Sequence, residues 1–227
     1  MRKGAAIVIA LVTIYVLASS ILHYVVFPEP FAALSDLPRT GTTLVNEGIG
    51  SRFVYRHTSV ETAGRFFEWD NFVEPGGGPR EIPHIHPHMR EVFQIVDGVV
   101  AFVINGQEHV AGPGSTVVVQ PGTVHAFRNA ADRPAHMISR FEPVHEGPWA
   151  QLAERGLLPD STFVQINRAG GLGRVSPIQM LVFVSRYKQG YPPGLPAWAW
   201  DVIAFLIAPT ARIFGVHAYY PPPPSSK

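Results

Sequence analysis

Between Arg52 and Phe141 the chain is cut into short apolar runs, and the residues at the cuts limit what it can fold into. Val92-Phe93-Gln94-Ile95-Val96 runs into Asp97-Gly98, and Val99 to Ile104 runs into Asn105-Gly106. Asp-Gly and Asn-Gly supply the positive φ angles of tight turns whose twist suits paired antiparallel strands, so each marks a hairpin. Ser115-Thr116-Val117-Val118-Val119 precedes the turn Pro121-Gly122, and His125-Ala126-Phe127 and His136-Met137-Ile138-Ser139-Arg140-Phe141 follow it. Upstream, Arg52-Phe53-Val54-Tyr55-Arg56 and Arg65-Phe66-Phe67-Glu68-Trp69 add two strand-like runs rich in aromatic residues. Short strands with turns of this kind predict an antiparallel sandwich or barrel rather than a parallel sheet.

One stretch of this region carries chemistry: His84-Ile85-His86-Pro87-His88-Met89-Arg90-Glu91. On an extended strand His84 and His86 leave the same face, because side chains alternate with period two. Glu91 follows on, and His125 arrives behind the Pro121-Gly122 turn. Three imidazoles and a carboxylate are ligands that iron, manganese, nickel, copper and zinc all accept. Such a set covers about half of a coordination sphere and leaves room for water or substrate.

The spacing of these residues resembles the two motifs of the cupin superfamily. Gly78, five residues, His84-Ile85-His86, four residues, Glu91, six residues and Gly98 reproduce every element of the first. Gly114, Gly122, His125 and Asn129 keep the spacing of the second, with Pro121 one position late in the turn. The resemblance covers roughly Val54 to Phe141 and leaves both apolar ends of the chain outside it. It implies an all-β, jelly-roll-like double-stranded β-helix. It also implies one divalent metal ion per chain, bound by His84, His86, Glu91 and His125. Relatives include dioxygenases, sugar-phosphate isomerases, decarboxylases and oxalate-degrading enzymes, and no substrate-specific motif selects among them. His88 lies one alternation beyond the ligand pair and is expected at the barrel mouth, beside the metal shell, facing substrate or solvent. Gln94, Phe102, Phe127, Met137 and Arg140 lie on strands whose inward face the sequence leaves open; Val117 to Val119 read as core. His57, His109, His136 and His145 are read as ordinary surface or core histidines.

Net charge is +1 and only 15% of residues are charged, which gives no footprint for nucleic acid. The absence of cysteine removes disulfides, thiolate metal sites and cysteine nucleophiles. Hydrophobic content of 46% is more than a small barrel needs, and the excess sits at the two ends. Ile7 to Phe27 is long enough to span a bilayer as a helix. An uncleaved anchor is the preferred reading, since the apolar run continues through Val25, Val26 and Phe27. The alternative is a signal peptide cut near Ala18-Ser19-Ser20. Arg2 and Lys3 before the run, with Glu29 and Asp36 after it, place the amino terminus in the cytoplasm and the barrel outside.

The expected division is an anchor over 1–28, a linker over 29–50, a cupin barrel over 51–145 and a helical, membrane-associated segment over 146–227. In that last segment Trp149 to Leu158 and Ile178 to Tyr187 read as helices. Ala197 to Val216 is almost wholly apolar apart from Asp201, Pro209 and Arg212. A hairpin on the membrane interface, a cap packed on the barrel and a second span all remain open. Two function classes are also open: a metalloenzyme of oxygenase or isomerase type, or a module that binds or senses a small ligand at the membrane. The partners expected are a small molecule, membrane lipid and a second copy of the chain in a homodimer.

Overall fold

The computed structural model describes residues 2–28, 36–80, 82–144 and 160–222. Its strands are β1 (Thr43–Asn46), β2 (Ser51–His57), β3 (Phe67–Val73), β4 (Met89–Asp97), β5 (Val100–Ile104), β6 (Gln107–Ala111), β7 (Thr116–Val119), β8 (His125–Asn129) and β9 (Ala135–Pro143). Six pair in the order β1-β2-β3-β9-β4-β7 and three in the order β6-β5-β8, all antiparallel. The Asp97-Gly98 and Asn105-Gly106 turns join β4 to β5 and β5 to β6, with Asn105, Gly98 and Gly106 all at positive φ.

Alternation decides which side chains face inward. Phe67, Trp69, Asn71 and Val73 are the buried set of β3, and Met89, Glu91, Phe93 and Ile95 that of β4. On β9 the set is Ala135, Met137, Ser139, Phe141 and Pro143. One core cluster joins both sheets through Val73, Phe93, Ile95, Val100, Phe102, Phe127 and Met137. A second gathers Tyr55, Phe67, Trp69, Met89 and Phe141. Fully burying one such side chain stabilises the fold by about 1.5–3 kcal/mol.

Two strands escaped the sequence reading. The 29–50 lead-in, expected to be a linker, contributes β1, which pairs along β2. β6 pairs with β5 although four of its five residues are exposed. Both lie at sheet edges and are held mainly by backbone ladders, so neither carries an alternating apolar pattern.

The helices are α1 (Arg2–Ile21), prolonged by a π-helical turn at Leu22–Val26, then α2 (Ser161–Arg168), α3 (Pro177–Tyr187) and α4 (Ala197–Ile213). The helix expected over Trp149 to Leu158 and the histidine at 145 lie outside the described residues. Ser176 caps α3 by accepting from the Gln179 N–H, and Pro177 occupies its first turn, where a missing N–H costs nothing. α3 and α4 pack through Val182, Phe183 and Tyr187 against Ala208 and Ala211. Val184, Tyr191 and Ala204 close a further cluster onto Ile85. Phe163 of α2 packs against Phe67, Trp69 and Phe141.

The carboxy-terminal helices therefore cover the barrel. The charges that sat oddly in an apolar run have partners, in this cap or at the end of the turn that prolongs α1. Asp201 Oδ1 receives Lys188 Nζ and the Tyr191 hydroxyl, each at 2.9 Å. Arg212 Nη1 donates to the Phe27 carbonyl at 3.3 Å, at the end of the π-helical turn. Lys3–Val26 is the one helix among the described residues long and apolar enough to cross a membrane. It meets α4 through the Tyr15 hydroxyl, which donates to the Leu206 carbonyl at 2.8 Å, and through the His23 and Phe205 rings.

Candidate metal centre

His84 and Ile85 form a two-residue bridge between β8 and the strap after α3. The His84 N–H donates to the His125 carbonyl at 3.1 Å, and the His125 N–H returns to the His84 carbonyl at 3.0 Å. Ile85 exchanges the same pair with Tyr191, at 2.9 and 3.0 Å. With the backbone held on both edges, alternation carries the His84 and His86 rings to one side. Their ring centroids lie 4.9 Å apart, and the His125 centroid lies 4.4 Å from His84 and 5.7 Å from His86. One ligand nitrogen from each histidine falls within 4.8 Å of the others, which positions the three to bind a metal ion. Glu91 reaches the same place from β4, its Oε1 3.5 Å from His86 Nε2 and 3.2 Å from His125 Nε2.

Carbonyl oxygens set the tautomers. His84 Nδ1 lies 2.9 Å from the Ile82 carbonyl and His125 Nδ1 lies 3.1 Å from the Thr123 carbonyl. A carbonyl only accepts, so each Nδ1 carries the proton and each Nε2 keeps a lone pair directed inward. His86, Glu91 and His125 are buried, and His84 is half-buried. His125 Nε2, Glu91 Oε1 and both ring nitrogens of His86 are buried without a hydrogen-bond partner. A buried polar group left in this way costs about 1–3 kcal/mol, so four together ask for a shared partner. A divalent cation answers that need, and nitrogen and carboxylate donors are what it takes.

The titration of His84, His86 and Glu91 points the same way. Burial, with the neighbouring imidazoles His125 and His86, lowers His84 to about 3. Burial also lowers His86, to about 4, against the pull of Glu91. Burial works against the charge of Glu91, yet His86 and His125 outweigh it and hold the carboxyl near 2. At His125 burial is outweighed by Glu91, and the ring is raised. His84 and His86 thus stand unprotonated at neutral pH, the state in which an imidazole ligates metal.

The remaining motif residues build the frame. Asn129 donates through Nδ2 to the Val73 and Arg133 carbonyls and accepts the Ala131 N–H on Oδ1, tying β3 to the turn after β8. Its own N–H donates to the Gly77 carbonyl at 2.8 Å, beside Gly78.

His88 stands apart, in the turn that opens β4, half-buried and within the electrostatic reach of Asp201. It does not line the cavity in front of the histidines. Gln94 is exposed, and Arg140 pairs with Glu142 while lying over the Phe66 ring. Phe102, Phe127 and Met137 are core, and His136 pairs with Asp70 at 2.7 Å.

A cavity of about 170 Å³ opens on the three histidines. Much of its wall is aromatic or aliphatic: Phe53, Trp69, Phe93 and Phe141 from the strands, Phe163 and Ile166 from α2, Met180 from α3. Asn46, Asn71 and Ser139 are buried polar residues on its sheet side. The sequence reading missed Trp69, Asn71 and Phe163 as lining residues. The signal for the first two was the parity of β3, on which Phe67, Trp69, Asn71 and Val73 must share a face. Phe163 carried none.

Residues 72–141 match the family described as Cupin domain. No curated protein matches the chain. Among solved structures, a predicted oxalate decarboxylase from Thermotoga maritima is similar at 15% identity and a TM-score of 0.42, covering 47% of this chain and 98% of its own. A sugar phosphate isomerase of the cupin superfamily from Silicibacter pomeroyi is similar at 21% identity and a TM-score of 0.38, with coverage of 50% and 75%. The cupin domain of a transcriptional regulator from Enterobacter cloacae is similar at 22% identity and a TM-score of 0.37, with coverage of 41% and 96%.

Proposed function

With residues 72–141 a cupin domain, we propose that this chain is a membrane-anchored metalloprotein. It holds one divalent ion on His84, His86, Glu91 and His125 and acts there on a small organic molecule. The observation that carries the proposal is the set of buried, unpartnered donor atoms that converge beside the cavity. A bound first-row ion supplies Lewis acidity or, if iron, oxygen chemistry. The chain's own part is to hold the ion through Nε2 of His84 and His125 and a ring nitrogen of His86, to offset its charge with Glu91 and to keep water out with the cap.

Among the described lining residues the four ligands are the only titratable side chains. An isomerase needs a protein group to move a proton, whereas an oxygenase can work with metal, substrate and oxygen. The lining thus favours oxygenase chemistry. It equally supports a second reading, capture or sensing of a small ligand without turnover. α1 as anchor, the barrel on the extracytoplasmic side and pairing of two chains along the free edge of β6 belong to the same proposal.

Metal per chain, measured on full-length protein purified in detergent without added metal, tests the centre. Alanine at His84, His86, Glu91 or His125 is expected to abolish tight binding, while His88→Ala keeps near-stoichiometric metal. Loss in His88→Ala with retention in His84→Ala would overturn the ligand set. Oxygen uptake on small aromatic compounds then separates oxygenase from binder.

A further inference from the structure

The cavity wall selects for the charge, size and polarity of what enters it. Among the described lining residues there is no lysine or arginine, and Glu91 is the only acid. Apart from the ion itself, whose charge Glu91 offsets in part, no cationic side chain on this wall receives a carboxylate or phosphate. Aromatic faces from Phe53, Trp69, Phe93, Phe141 and Phe163 surround the space. Its volume of about 170 Å³ is of single-ring size, since an apolar cavity of about 150 Å³ accommodates benzene.

Asn46 and Thr162 add polar atoms to this wall, and three more stand together on β3 and β9. Trp69 and Asn71 are two apart on β3 and share its inner face, and Ser139 of β9 is the register partner of Trp69. Trp69 Nε1, Asn71 Oδ1 and Ser139 Oγ are all buried without a hydrogen-bond partner. An indole N–H only donates, an amide oxygen only accepts, and a serine hydroxyl does both. A ligand hydroxyl, which donates and accepts, answers this set. A plain hydrocarbon leaves it unsatisfied, and an ionised carboxylate offers no proton to Asn71.

Resting on the metal-centre reading above, we infer that the site takes a neutral single-ring molecule bearing a hydroxyl group, of the phenol class, received by Trp69, Asn71 and Ser139. Calorimetry on the full chain in detergent, loaded with zinc and metal-free, tests this with phenol, toluene and benzoate as probes. Phenol is expected to bind at least about tenfold more tightly than toluene, and than benzoate where no zinc is bound. The paired change Asn71→Leu with Ser139→Ala is expected to cost phenol about 10- to 100-fold and to leave toluene unchanged. Retained toluene binding shows that the variant is folded; where it is lost, Ser139→Ala alone serves, with the same direction expected. Benzoate binding as tight as phenol to metal-free protein, where no zinc can receive the carboxylate, would overturn the inference. So would phenol binding that the substitutions do not weaken, or no binding of either neutral ring, which would mean a water-filled cavity. Metal measured in the zinc-loaded samples keeps the two readings apart. Phenol selectivity without bound metal strikes only the metal centre, and bound metal without phenol selectivity strikes only the present inference.

Discussion

At Gly78 a hydrogen stands where an ideal Cβ would lie 2.6 Å from the Phe127 carbonyl oxygen, at a φ of +107°. Positive-φ strain and backbone collision add there, so Gly78→Ala is expected to destabilise by about 3 kcal/mol or more. Gly114 also has a positive φ, but nothing lies within 4 Å of its Cβ position. Gly114→Asn is therefore expected to cost about 1 kcal/mol or less, since asparagine tolerates this region. Thermal melts of the two variants check the contrast. Asp160 offers a pH test of the same kind. Its burial raises the carboxyl to about 6, against the Ser59 N–H that donates to Oδ2 at 3.1 Å. The unfolded value is about 3.9, so the folded chain holds this proton more tightly. Its contribution to stability is fully present below about pH 4 and is lost as pH rises through about 6. Asp160→Asn keeps an acceptor for Ser59 and removes the buried charge. It should gain about 3 kcal/mol over the natural chain at pH 8 and almost nothing at pH 4. Equal melting shifts at both pH values would refute this account of Asp160.

The strap and helices after residue 175 matter at the next scale because they hold the His84–His86 stretch from outside. Ile85 lies between β8 and Tyr191, and Tyr191 is fixed in turn by Asp201 on α4. Ala204 sits fully buried where α4 meets Val184 and Tyr191. Its side chain is fully enclosed, so the added bulk of Ala204→Leu is expected to cost about 1–3 kcal/mol. Metal content should fall with it, because displacing Tyr191 loosens the backbone that aims His84 and His86. A destabilised variant that still bound metal at full stoichiometry would show that the barrel aims its ligands unaided.

For the whole molecule, the main tension is between a packed barrel and a helix whose apolar side chains remain outside. Only 6% of the most apolar window of Lys3–Val26 is buried, and Trp198 and Phe214 of the α4 region are 70% and 80% exposed. Exposed apolar surface on this scale belongs in a membrane or an interface. The full-length chain is expected to stay with membranes through alkaline carbonate washing and to keep an amino-terminal tag. A soluble chain beginning near Ser20 or Ile21 would identify the segment as a signal peptide.

Hairpins and the candidate ligands were legible in the sequence because both depend on short-range geometry. Asp97-Gly98 and Asn105-Gly106 bend the chain wherever they occur, and a two-residue spacing puts His84 and His86 on one face of any strand. Their meeting with Glu91 and His125 was legible only through the motif spacing, which stands for a whole topology. Edge strands β1 and β6 were hidden because a backbone ladder leaves no mark on side-chain pattern. The role of the carboxy-terminal helices was undecidable from composition, since an apolar helix suits a membrane and a protein core equally well. Tertiary packing decided where they attach, by giving Asp201 and Arg212 partners and by setting Tyr191 beside Ile85. Packing likewise decided the cavity. The rings that line it come from β2, β3, β4, β8, β9 and α2, and residues so far apart in sequence share a wall only once the chain has closed around them.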